Sequence, residues 1–217
     1  MAGFFLRQKI PHEELDYQTL LNALHGYSRP RAKITALLRD GVIVRVKKGL
    51  YVFGEEERRK PLCRELLANL IYGPSCISLE YALASHGLIP ERVETVTSVT
   101  CGRSRAFDTP VGRFTYRMIS MEAFPVGVDR METSDGRAFL IGTPEKALAD
   151  ALVADRRGAI GSRRELASYL NESWRIEMGR LKELDRDLLD ELAKGYRSRK
   201  VRLLASLVGS LKKEGKG

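Results

Sequence analysis

The chain has 217 residues, with 37 Lys and Arg against 28 Asp and Glu, a net charge of +9 and a pI of about 9.6. At roughly 100–200 residues per domain this length fits one large domain or two small ones, and 43% hydrophobic with 30% charged residues describes a globular chain. No stretch approaches the ~18 uninterrupted apolar residues of a spanning helix, which excludes a membrane protein. A short apolar patch at Gly3–Leu6 without a small-residue cleavage site argues against a signal peptide. Cys63, Cys76 and Cys101 include no CxxC pair, which fits reduced thiols and a cytoplasmic location.

The charge is unevenly distributed. Residues 1–61 carry 12 basic and 7 acidic side chains, residues 62–155 carry 9 and 12, and residues 156–217 carry 16 and 9. Basic ends around an acidic middle point to a polyanionic partner met by the ends, because clustered charge steers association. Solvated helical faces are the competing explanation, above all for the C-terminal third.

Taken in order, Asp16 is placed to cap a helix whose apolar stripe is Tyr17, Leu20, Leu21 and Leu24. The stretch before Asp16 gives no evident helix. Gly26-Tyr27-Ser28 breaks the stripe, Ser28 suits an N-cap, and Pro30 suits the first turn of a second helix. That helix is expected to reach about Asp40 and stop at Gly41. Its core stripe is Ile34, Leu37 and Leu38. Its other side carries Arg29, Ala32, Lys33, Ala36 and Arg39, flanked by Arg31 and Thr35, with no acid from Arg29 to Arg39. Small alanines between cations let a helix approach a major groove while Arg and Lys reach phosphates and base edges.

Two β-branched and aromatic runs follow, Val42–Val46 and Leu50–Phe53, around Lys47-Lys48-Gly49, and read as a hairpin. Helix, turn, helix and hairpin is the order of a winged helix-turn-helix. Residues 1–57 are therefore expected to be a DNA-binding domain. Arg29, Lys33, Thr35 and Arg39 would line its recognition helix, and Arg31, Arg45, Lys47 and Lys48 would hold phosphates.

GEEERRKP at 54–61 is a polar run that reads as a linker. Beyond it, helices are expected over 62–72 and 78–86, strands over 93–100, 113–119 and 138–141, and a helix over 145–154 opened by Thr143-Pro144. Residues 62–155 thus read as a mixed α/β domain. Residues 156–217 read as its basic helical extension, with segments around 166–170, 181–192 and 201–211. Arg197, Arg199, Lys200 and Arg202 make a second basic patch. The fold class expected is α+β.

The phrases ISLEYALASHGLIPE at 77–91 and TPEKALADAL at 143–152, with TPVGRFTYRMI at 109–119 between them, resemble AbiEi-family antitoxins of type IV toxin–antitoxin operons. The resemblance covers about residues 12–155. It implies a winged helix that binds inverted repeats of double-stranded DNA in its own promoter and represses the operon. It also implies a C-terminal domain that counters a nucleotidyltransferase-like toxin, without necessarily forming a stable complex with it.

Catalytic and metal signatures are missing from the sequence. His12, His25 and His86 lack ligand spacing, and GSRRE at 161–165 lacks the phosphate-cradling glycine pattern. Cys76 sits in an apolar setting where thiols are inert, and His86 before Gly87 reads as a capping or packing residue. No enzyme, cofactor or metal is expected. Two other classes fit the sequence less well: a stand-alone ligand-responsive regulator, and a nucleic-acid-modifying enzyme using the basic C-terminal helices as a platform.

Overall fold

The computed structural model describes residues 2–156 and 160–214. It is a mixed α+β fold, with ten α-helices and two sheets among the described residues.

The first unit runs α1 (Ala2–Lys9), β1 (Glu14–Asp16), α2 (Tyr17–Ala23), α3 (Pro30–Arg39), β2 (Ile43–Lys47) and β3 (Leu50–Phe53). Its sheet has the order β1-β3-β2, antiparallel throughout. The helix α1 is a departure from the sequence reading. An eight-residue helix is marginal on propensity alone, and this one is held by tertiary contacts. Leu6, with Ile10 just beyond the helix, enters the core, while the Arg7 guanidinium lies 3.7 Å from the centroid of the Phe53 ring. Arg7 is also paired with buried Glu13, and its Nε donates to the Glu57 carbonyl at 2.7 Å. Asp16 caps α2 as expected, accepting from the Thr19 amide at 2.6 Å.

Two hydrophobic clusters meet across β3. Tyr51, Phe53 and Ile43 face Leu6, Leu15, Leu20, Ile34 and Leu37. Leu50, Val52 and Val46 belong instead to the core of the second unit, with Leu67, Ala68 and Ile71. Alternating side chains of a strand point to opposite faces, and β3 is buried on both. The 54–61 run between the units is also tied down. A 3-10 turn spans Glu55–Glu57, the Arg58 Nε donates to the Phe53 carbonyl at 2.9 Å, and the amides of Arg59 and Lys60 donate to Glu13. Gly54 packs so tightly on Gly41 that a Cβ there would collide with the Gly41 carbonyl.

The second unit is built on a six-stranded sheet of order β6-β7-β5-β4-β9-β8. Its strands are β4 (Ser75–Ile77), β5 (Val96–Thr100), β6 (Arg105–Thr109), β7 (Gly112–Met118), β8 (Val128–Glu132) and β9 (Ala138–Gly142). The pairs β5–β7 and β4–β9 are parallel and the rest antiparallel. The helices are α4 (Arg64–Ile71), α5 (Leu79–Ser85), α6 (Pro144–Ala154), α7 (Arg163–Ser173), α8 (Met178–Glu183), α9 (Arg186–Tyr196) and α10 (Arg199–Glu214). The strand expected from Val93 begins at Val96. The segment expected over 181–192 is split at Asp185, whose carboxylate accepts from the Asp187 amide at 2.8 Å and so starts α9. Strands β6 and β8 escaped the sequence reading because they are sheet edges, with exposed charged side chains in place of apolar alternation.

Candidate nucleic-acid interface

Helix α3 begins one residue later than its expected cap. Arg29, not Ser28, is the N-cap, because Pro30 occupies the first helical position and holds the residue before it out of the helical region. At the other end Gly41 takes φ +73, the left-handed conformation that terminates the helix without strain. Ile34 and Leu37 are buried and Leu38 half-buried, which fixes the rotation of the helix.

The opposite face is open. Arg29, Arg31, Ala32, Thr35 and Arg39 are exposed, and Lys33 and Ala36 half-buried. Among the described residues Arg29 and Arg31 form no ion pair. Lys33 Nζ lies 5.5 Å from the Tyr27 ring centroid. Thr35 Oγ1 donates to the Arg31 carbonyl at 3.2 Å. Arg39 reaches Asp40 at 2.9 Å with the two side chains 77% and 49% exposed, a pair too solvated to hold the guanidinium against a competing phosphate.

The hairpin presents fewer free cations than its sequence suggested. Lys48 is exposed at the turn, where Gly49 takes φ +85, and exposed Arg45 lies 5.8 Å from the Tyr51 ring centroid. Lys47 is half-buried. Its ammonium donates to the main-chain carbonyl of Ile71 at the end of α4, and burial pushes its pKa down. In this position Lys47 ties the hairpin to the second unit and is set apart from the exposed Arg45 and Lys48. The free hairpin cations are Arg45 and Lys48.

The second basic patch divides in the same way. Arg199 Nη2 donates to the Gly161 carbonyl at 2.8 Å and Lys200 Nζ to the Asp155 carbonyl at 2.7 Å, so both anchor the start of α10. Arg197, in the left-handed conformation at the end of α9, and Arg202 are exposed.

Sequence reasoning missed the polar groups that hold the second unit together. Asp150 accepts from Ser78 Oγ at 2.7 Å and from the Tyr196 hydroxyl at 2.6 Å. Lys146 Nζ lies 3.5 Å from the same carboxylate and donates to the Ala123 carbonyl at 3.0 Å, with neither charged side chain exposed. Burial pushes the Asp150 carboxyl up, against the downward pull of Lys146 and the two hydroxyls. The one available signal was the spacing of Lys146 and Asp150, four apart on a helix, a pattern more common on surfaces. Between the units, Arg137 pairs with Glu14 at 2.9 Å; Asp135 holds Arg137 at 3.0 Å from within the second unit and also pairs with Lys60 of the connecting run at 3.2 Å.

Two of the three thiols and His86 are drawn into the packing, while Cys101 is half-buried and His12 and His25 are exposed. Burial pushes the Cys76 thiol up to about 12 and the Cys63 thiol up to about 11, and His86 Nε2 donates to the Gly142 carbonyl at 2.8 Å as a packing residue. Among the described residues no group of three or more His, Cys, Asp and Glu side chains is arranged to hold a metal ion, and no described helix is long and apolar enough to cross a membrane. No protein-family model matches the chain, and no curated protein matches it.

Proposed function

We propose that this chain is a DNA-binding autorepressor and antitoxin of a type IV toxin–antitoxin operon, with its first unit acting as a winged helix-turn-helix. The observation that carries the reading is the outer face of α3, where Arg29, Arg31, Thr35 and Arg39 stand exposed around Ala32 while Ile34 and Leu37 anchor the opposite side. The order of elements supports it. A helix, a strand, two helices and a hairpin, closed into a sheet of order β1-β3-β2, place α3 and the hairpin turn as separate elements of one small module.

In this reading α3 enters the major groove, and Arg45 and Lys48 contact the backbone beside it. Two copies meet on an inverted repeat upstream of the operon. The role of the second unit against a nucleotidyltransferase-like toxin rests on the resemblance of the 77–91 and 143–152 segments to AbiEi antitoxins, and no catalytic step is assigned to the chain.

Fluorescence anisotropy with duplex DNA from the region upstream of the chain's own gene tests the reading. Binding should exceed that to a scrambled duplex, and its logarithm should fall linearly with the logarithm of salt concentration. Equal affinity for both duplexes would remove the repressor assignment. Growth rescue on co-expression with the adjacent gene product tests the antitoxin half.

A further inference from the structure

An open cleft of about 990 Å³ lies in the second unit, bounded by α5, the 89–95 segment leading into β5, the last turn of α6 and Trp174. Ligand sites typically span ~300–1,000 Å³ and combine an apolar lining with a few polar groups. Here Leu83 and Ala151 are buried, and Val93, Ala154 and Trp174 half-buried, along the apolar wall. Trp174 is steadied by Tyr169, with ring centroids 5.8 Å apart.

The charges around the cleft decide what it can hold. Glu91 is paired with Arg175, Glu94 lies 2.8 Å from Arg92, and Asp155 accepts from the Tyr169 hydroxyl. Each of these acids thus has a partner, but the ion pairs are solvated and the hydroxyl leaves Asp155 charged, so all of them still count in the cleft's charge. Arg117 and Arg156 remain without a carboxylate partner among the described residues. Arg117 donates one Nη2 hydrogen bond to the Ala154 carbonyl at 3.0 Å, which fixes the guanidinium at the wall without neutralising it.

We propose that this cleft binds a small amphipathic organic anion, with an aromatic or aliphatic body against Leu83, Val93, Ala151 and Trp174 and an acidic group held by Arg117 and Arg156. A guanidinium forks onto a carboxylate or sulfonate with charge-assisted hydrogen bonds. Two arginines without a carboxylate partner, with Glu80, Glu91, Glu94 and Asp155 on the same lining, fit a single negative charge better than a polyanion, which those acids would repel. This inference does not depend on DNA or toxin binding.

Trp174 is the one tryptophan of the chain, so energy transfer from it reports bound probe, which the two arginine variants then assign to the cleft. The full-length protein is titrated with 8-anilinonaphthalene-1-sulfonate and, in parallel, with its uncharged analogue N-phenyl-1-naphthylamine. The sulfonate should show saturable one-to-one transfer and bind roughly tenfold tighter than the neutral probe, the margin that charge-assisted hydrogen bonds supply. Arg156→Gln, at an exposed position, should shrink that margin to under about threefold, and Arg117→Gln should do the same. Equal affinity for the two probes, no saturable transfer, or a margin unchanged in both variants would overturn the proposal.

Discussion

The ammonium of Lys47, at the end of the first hairpin strand, donates to the main-chain carbonyl of Ile71, the last residue of α4. Two adjacent lysines of the same turn therefore do different things, since Lys48 stays exposed. Lys47→Ala should lower stability by about 1–2 kcal/mol, as a hydrogen bond from a charged donor is lost at a partly buried site. Lys48→Ala should leave stability unchanged but weaken DNA binding for all sequences and reduce the salt slope by about one. Urea denaturation and anisotropy separate the two effects. Identical stabilities for the two variants would show that the clamp to α4 is absent in solution.

Ala32 offers a cleaner test of the proposed groove-facing helix than removal of any arginine. It is exposed on α3, and Glu is a good helix former, so Ala32→Glu should fold as well as the wild type within about 0.5 kcal/mol. A carboxylate there would face phosphates at close range, and affinity for the upstream duplex should drop at least tenfold, about 1.4 kcal/mol. An Ala32→Glu variant that binds as well as wild type would place the DNA contact elsewhere.

What could be read from the sequence follows local punctuation. Asp16, Pro30, Gly41 and Thr143 mark helix ends through their own hydrogen bonds or backbone angles, and the structure places helix boundaries at each. The rotation of α3 followed from Ile34 and Leu37 for the same local reason. Features that depend on distant partners stayed hidden. Helix α1 is held by Phe53 and Glu57, the second buried face of β3 by Leu67 and Ile71, and Lys47 by a carbonyl 24 residues away. The cleft was equally invisible, because Leu83, Val93, Arg117 and Trp174 come together only when the sheet and α6 assemble.

Asp16 gives a stability effect with a defined pH dependence. Its carboxylate accepts the Thr19 amide at the first turn of α2, and that hydrogen bond holds its pKa below the ordinary value of 3.8. A carboxyl depressed in the folded state stabilises the fold above its unfolded pKa and loses that contribution as pH falls through the folded value. Asp16→Ala should therefore cost about 1 kcal/mol at pH 7. The gap from wild type should close below pH 3.8, which thermal melts across the acid range would follow. A gap that persists undiminished in acid would assign the effect to something other than the ionised cap.

The pair Lys146 and Asp150 joins α6 to the rest of the second unit through Ser78 and Tyr196. Both side chains are fully buried, so removing one partner leaves an uncompensated charge in the core. Asp150→Ala should cost about 3–5 kcal/mol, the range for breaking a buried pair. Lys146→Met should cost less, because Asp150 keeps both hydroxyl donors and can take up a proton, toward which burial already biases it. In a double-mutant cycle of Lys146→Met and Asp150→Asn, the combined loss should fall short of the summed single losses by at least about 1 kcal/mol. Strict additivity would mean that the two groups act independently. The 143–152 segment would then hold α6 in place through its Thr143 cap and its leucines alone.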